Sequence, residues 1–161
     1  MTSVMHWIAG GFGDARWSTL IFPTITLAVV GTALLFSSRW MDVLQTGDDG
    51  GAAALGMNVR RFRVLSLLAV SVLAGAAVSV AGGIGFIGLL IPHLAGFIVG
   101  TRAIRLLPAA ALLGAVAMVA ADTAARSVAQ STEVPVGVIT ALVGAPIFVW
   151  MLYRQYRRLE Q

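Results

Sequence analysis

The chain has 161 residues, 58% hydrophobic and 11% charged, with a mean hydropathy of +0.90. A soluble domain carries about 25% charged residues, so this composition excludes an ordinary water-soluble globule, and the apolar excess must face lipid or a partner. All eleven basic residues are arginines, the net charge is +4, and the absence of cysteine removes disulfides, thiolate metal sites and a cysteine nucleophile.

The first seventeen residues hold His6, Asp14 and Arg16 but no compact basic start with an apolar core and a small-residue cleavage site, so no signal peptide is expected. Residues 18–38 carry no ionisable group and are bracketed by Trp17 and by Arg39-Trp40, the anchors of two membrane interfaces; this is the first predicted crossing. Pro23 is placed in its first turns, where a missing amide costs least.

Polarity returns over residues 40–63, with Asp42, Gln45, Asp48, Asp49, Asn58, Arg60, Arg61 and Arg63, and an aqueous loop with short helices is expected. Leu44, residues 52–55 and Val59 give it a small apolar face for a partner. The next 38 residues, 64–101, contain no Asp, Glu, Lys or Arg, too many for one crossing and barely enough for two. Gly82-Gly83-Ile84-Gly85 and Pro92 mark the interruption, which predicts a full helix over 64–81 and a short one over 91–100. The backbone between them needs protein or water around it, because lipid cannot satisfy its amides. After a basic turn at 101–105, further spans are predicted over 106–128 and 136–153, the last running into Trp150, Tyr153, Arg154, Tyr156, Arg157 and Arg158.

The expected fold is thus an all-α integral membrane protein with about five membrane helices, one of them short, in a single domain. Threading the spans in order places Arg39, Arg60, Arg61, Arg63, Arg102, Arg105, Arg154, Arg157 and Arg158 on one side and Arg16 and Arg126 on the other. The first side is therefore cytoplasmic, the C-terminus inside and the N-terminus outside. An outside N-terminus is simplest to explain if further helices precede it. Arginines scattered between apolar spans answer to topology rather than to nucleic acid.

Several patterns have a chemical and a structural reading. Gly83 to Gly88 has the GxGxxG spacing of a dinucleotide loop, but it follows an apolar helix and lacks the downstream carboxylate, so helix interruption is the better account. Gly75, Ser79 and Gly83, and likewise Ala117, Ala121 and Ala125, recur every four residues and offer faces for close helix packing. Asp122 and Arg126 lie four apart on one face and are expected to form a structural ion pair, with a proton relay or substrate contact as the alternative. His93 follows Pro92 without a second ligand nearby and is expected as a hydrogen-bonded structural histidine rather than a metal ligand. No nucleophile converges with His93 and Asp122, which leaves an intramembrane enzyme a minor reading.

The stretch Gly83-Ile84-Gly85-Phe86-Ile87-Gly88-Leu89-Leu90-Ile91-Pro92-His93, then Ala121-Asp122-Thr123-Ala124-Ala125-Arg126, then Glu133-Val134-Pro135-Val136-Gly137-Val138 through Gly144-Ala145-Pro146, resembles in order and spacing the permease family of binding-protein-dependent ABC importers for iron-siderophores, haem and cobalamin. The likeness extends weakly back to Trp17. It implies a homodimeric pore of ten-helix subunits in the bacterial inner membrane, with this chain supplying helices six to ten. Two cytoplasmic ATPase subunits holding ATP and Mg would drive it, an extracytoplasmic binding protein would feed it, and no cofactor would sit in this chain. By the same resemblance Asp48, Asp49, Ala52, Leu55 and Gly56 fall in the loop that docks on the ATPase, and ferric siderophore is the default substrate. Gly96 replaces the arginine usual after the Pro-His pair, and Gly50-Gly51 adds a residue to the loop. A truncated or split copy acting as a non-transporting assembly module is the alternative.

Overall fold

The computed structural model of the chain describes residues 10–11, 16–45, 53, 56–128 and 135–159. Among them the regular structure is entirely helical: α1 (Trp17–Phe36), α2 (Ser38–Gln45), α3 (Val59–Ala81), α4 (Ile87–Val99), α5 (Ala103–Val128) and α6 (Val136–Leu159). Three of these, α1, α3 and α5, are long and apolar enough to cross a membrane, and the apolar parts of α4 and α6 are shorter.

Local chemistry sets most of the ends. α1 stops at Ser37, whose hydroxyl donates back to the Ala33 carbonyl at 2.8 Å, and α2 begins at the next residue. Asn58 caps α3, its Oδ1 accepting from the Arg61 N–H at 3.0 Å, so α3 starts at Val59, inside the stretch expected to be loop, and carries Arg60, Arg61 and Arg63 in its opening turns. Gly82 ends α3 at φ 70, ψ −159, a region essentially closed to side chains. Pro92 does not mark the interruption. α4 begins at Ile87, ahead of the expected position near 91, and both Pro92 and His93 lie inside it. α5 likewise begins at Ala103 rather than 106, with Pro108 inside, and α6 continues past 153 to Leu159.

Three contacts far apart in sequence fix which helix ends meet. The Gly11 N–H donates to the Ala81 carbonyl at 3.0 Å, the Val136 N–H donates to the Gly10 carbonyl at 3.1 Å, and the Ala103 N–H donates to Asp42 Oδ1 at 2.6 Å. One end of the bundle therefore gathers residues 10–11, the end of α3 and the starts of α4 and α6. The other gathers α2 and the start of α5, and by chain order the starts of α3 and the ends of α4 and α6. Arg39, Arg60, Arg61, Arg63, Arg102, Arg105 and Arg157 belong to the second end, Arg16 and Arg126 to the first; the second end is the one expected to face the cytoplasm.

α1 packs on α3, and α4, α5 and α6 form a second cluster, with α2 bridging α1 and α5. The side chains that become buried are small or few per helix: Leu34, Ala76, Ala81, Leu90, Ile91, Ala95, Ala103, Ala125 and Val136. Meanwhile Phe22, Leu67, Phe97, Leu112, Val119 and Leu142 are exposed. The chain shows 11619 Å² of surface, where a soluble monomer of its mass shows about 7,600 Å². Hydroxyls within the apolar helices turn inward on their own backbone: Thr26 on Phe22, Thr32 on Ala28, Ser71 on Leu67 and Thr123 on Val119. This removes the need for water on faces that lipid covers.

Candidate functional site

At the end expected to face outward, residues 82–86 carry the chain from α3 into α4 without helix, and the expected break residues Gly83 and Gly85 lie here. Phe86 caps α4 with φ 63, ψ −27, a left-handed conformation costing about 1–2 kcal/mol for a residue with a side chain. It is the positive-φ residue other than glycine among the described residues. Gly144 on α6 makes room for it: a Cβ there would lie 2.6 Å from Phe86 Cβ. The Phe86 ring meets Phe148, one turn further along α6, at 6.3 Å between centroids and 56° between planes. The amide of Ile87 is satisfied within the turn by the Gly85 carbonyl at 2.8 Å, and those of Leu89 and Leu90 by the Phe86 carbonyl. The break is thus a defined turn braced by α6 and by residues 10–11.

Gly88, Pro92 and His93 sit along α4 beyond it. Pro92 removes the amide that would bond the Gly88 carbonyl, and no heavy atom lies within 4 Å of where a Gly88 side chain would begin. His93 is exposed, its ring meets Phe97 edge-on at 4.9 Å and 83°, and among the described residues no hydrogen bond to it is found. The next helical turn offers an aromatic ring and no polar group, which is why the imidazole packs instead of bonding. The Gly75 face of α3 also meets open space within this chain, whereas Ala125 on the second small-residue face is buried.

Asp122 and Arg126 pair as their spacing dictates, with Nε to Oδ2 at 2.8 Å and Nη2 to Oδ1 at 3.4 Å. The guanidinium side chain is 63% exposed and the carboxylate side chain 23%, so solvent near the outer interface screens the pair. Double-mutant cycles with Asp122→Asn and Arg126→Ala, read from unfolding in detergent, are expected to give a coupling of about 0.5–1 kcal/mol. A coupling above about 3 kcal/mol would mean a dry, fully desolvated pair and would contradict this geometry.

At the arginine-rich end the expected docking residues Asp48, Asp49, Ala52 and Leu55 lie outside the described residues. Gly56 is described: it is exposed, adopts φ 83, and donates its N–H to the Ala53 carbonyl at 2.9 Å, a tight turn leading into α3. At the same end of the bundle lies the contact that sequence reasoning missed, Asp42 on the Ala103 amide. Its only local trace is a polar residue in the short amphipathic segment after α1. The Gly10–Gly11 bridge and the Gly144–Phe86 approach left no periodic signal either. Among the described residues no three His, Asp or Glu side chains gather to hold a metal.

The sequence model of the FecCD transport family matches residues 1–154. Similar curated proteins include the hemin transport system permease protein HmuU of Yersinia pestis, 43% identical over 149 residues, or 92% of this chain and 44% of that protein. The iron(3+)-hydroxamate import system permease protein FhuB of Bacillus subtilis is 42% identical over 156 residues, covering 97% and 40%. The cobalamin import system permease protein BtuC of Halobacterium salinarum is 45% identical over 149 residues, covering 92% and 39%. The chain therefore spans less than half the length of these relatives. A solved metal-chelate type ABC transporter in an inward-facing conformation superposes with a TM-score of 0.87 at 34% identity, over 95% of this chain and 49% of that one.

Proposed function

The chain belongs to the FecCD transport family, and from that membership we propose that it forms one half of the membrane-spanning permease of an ATP-driven importer of metal chelates in the inner membrane. The observation that carries this reading is the family match over residues 1–154 on a helical arrangement that follows a metal-chelate type ABC transporter at a TM-score of 0.87.

On this reading the chain hydrolyses nothing. It joins the remaining permease helices and a second copy to enclose a pathway. Cytoplasmic ATPase subunits, where ATP and Mg bind, engage the loop holding Asp48, Asp49, Ala52, Leu55 and Gly56, and an extracytoplasmic binding protein delivers substrate at the end where residues 82–86 and Asp122–Arg126 lie. Iron chelates are the preferred cargo, since the relatives named for hemin and iron(3+)-hydroxamate handle iron; cobalamin is the alternative, after the Halobacterium relative. Large chelates need a wide, weakly adhesive path, which suits a chain without converging metal ligands among its described residues.

The test is uptake by proteoliposomes in which the chain is reassembled with the other permease half, the ATPase and the binding protein, offered hemin, ferric hydroxamate, ferric citrate and cobalamin in turn. ATP-dependent accumulation of one of these is expected, and Leu55→Asp, which sets a charge on the apolar face offered to the ATPase, is expected to lower it about tenfold or more. Accumulation of none would leave the assembly module as the function.

A further inference from the structure

α5 begins where its own sequence offers no cap. Its first residue is Ala103, preceded by Arg102, and neither side chain has an acceptor for the orphan amides of a helix N-terminus. The acceptor comes from α2, 61 positions earlier: Asp42 Oδ1 takes the Ala103 N–H at 2.6 Å in a part-buried setting. Ala103 is 3% exposed and Ser38, at the start of α2, is 2% exposed, so the accepting carboxylate, itself half-buried, sits beside a closed junction of α2 and α5. A carboxylate at the positive end of a helix, on an amide that lies between Arg102 and Arg105 in the sequence, is held by a charge-assisted bond stronger than a neutral cap.

The placement matters more than the bond. α2 is the segment by which the chain leaves α1 and enters the loop over 46–58. α5 carries the second cluster, packing on both α4 and α6. In the path of the chain α2 stands between that loop and α5, on which it packs, and Asp42 makes the directional hydrogen bond at the join. Packing is non-directional, whereas a bond of 2.6 Å on a backbone amide favours one register of α2 on α5.

We propose that Asp42 is a positioning residue that ties the loop offered to the ATPase to the N-terminus of α5, so that movement of the loop is passed to the α4–α5–α6 cluster. This rests on the permease reading above. It assigns to Asp42 no contact with substrate or nucleotide; its work is to hold Ala103.

The experiment has two arms. In the first, the reassembled permease and ATPase are compared with Asp42→Ala and Asp42→Asn, reading ATP hydrolysis and the accumulation of hemin, ferric hydroxamate, ferric citrate or cobalamin, whichever the wild type takes up. Asp42→Ala is expected to keep copurification with the ATPase and to lower uptake per ATP hydrolysed about tenfold, while Asp42→Asn, whose amide oxygen still accepts, recovers at least about half of it. Unchanged uptake per ATP in Asp42→Ala, equal loss in both variants, or loss of copurification would each overturn the proposal.

The second arm needs no transport. The chain has no native cysteine, so spin labels at Gln45→Cys and Ile104→Cys, both exposed sites, report the α2–α5 distance alone. A single narrow distribution is expected that broadens in Asp42→Ala and not in Asp42→Asn. An unchanged distribution overturns the tie. Absence of all uptake from the wild-type assembly, with the distance result as expected, would overturn the permease reading and the coupling role while leaving the tie itself established.

Discussion

Gly144→Ala is expected to lower the stability of the chain in detergent by about 1–3 kcal/mol, a large effect for one methyl group on a helix that alanine would otherwise favour. The new Cβ would meet Phe86 Cβ at 2.6 Å and Cγ at 3.3 Å. A flexible side-chain end could step aside. Phe86 cannot, because the atoms struck are next to its backbone, and that backbone is already in the left-handed region at the turn into α4.

Phe86→Gly separates this explanation from a general intolerance at position 144. Alone, it relieves the left-handed strain but gives up the contact with Phe148, worth about 0.5–1.5 kcal/mol, so a small net change is expected. In that background Gly144→Ala should cost almost nothing, since the atom it strikes is gone. The full penalty in both backgrounds would show that Gly144 serves a contact other than Phe86, and the bracing of the break by α6 would have to be abandoned.

Membrane spans were legible because lipid imposes a simple rule on sequence: runs without charge, bounded by Trp17, Arg39-Trp40, Arg60 to Arg63, Arg102, Arg105 and the terminal arginines. Helix ends were less so, for identifiable reasons. Pro92 looks like a stop, yet it lies inside α4, where a proline costs the one amide that would reach the Gly88 carbonyl and leaves the rest of the helix intact. The actual interruption is set by the conformations of Gly82 and Phe86. The start of α5 escaped notice because its cap comes from Asp42, outside any local window. α6 outlasts its apolar stretch because a helix entering water needs no apolar face, only side chains that solvate well, among them Arg157 stacked over Tyr153 at 5.2 Å. Asn58 was a visible cap whose position in a polar stretch made it read as loop. Of the candidate site, the Asp122–Arg126 pair follows from spacing alone, while every bracing contact of the break joins residues more than fifty positions apart.

Gly10→Val tests the other brace. Gly10 holds φ +77, and a Cβ there would lie 2.7 Å from the Gly83 carbonyl oxygen and 3.2 Å from that of Ala81. A β-branched residue is a steric outlier in that conformation, and the neighbours are backbone that cannot rotate away. The segment is expected to leave, breaking the bonds from Gly11 to Ala81 and from Val136 to Gly10. Each is worth about 1 kcal/mol net, so local opening at residues 82–86 should become at least about tenfold more frequent. Ala81→Cys would be the sole thiol of the chain at a site only 8% exposed beside the turn, so its labelling by a water-soluble maleimide reports that opening. Gly75→Val, at a site with nothing within 4 Å, is the control that should leave the rate unchanged. An equal rate in Gly10→Val and wild type would mean that α6 alone holds the turn, and that the backbone bridge from residues 10–11 to α3 and α6 has no part in keeping it closed.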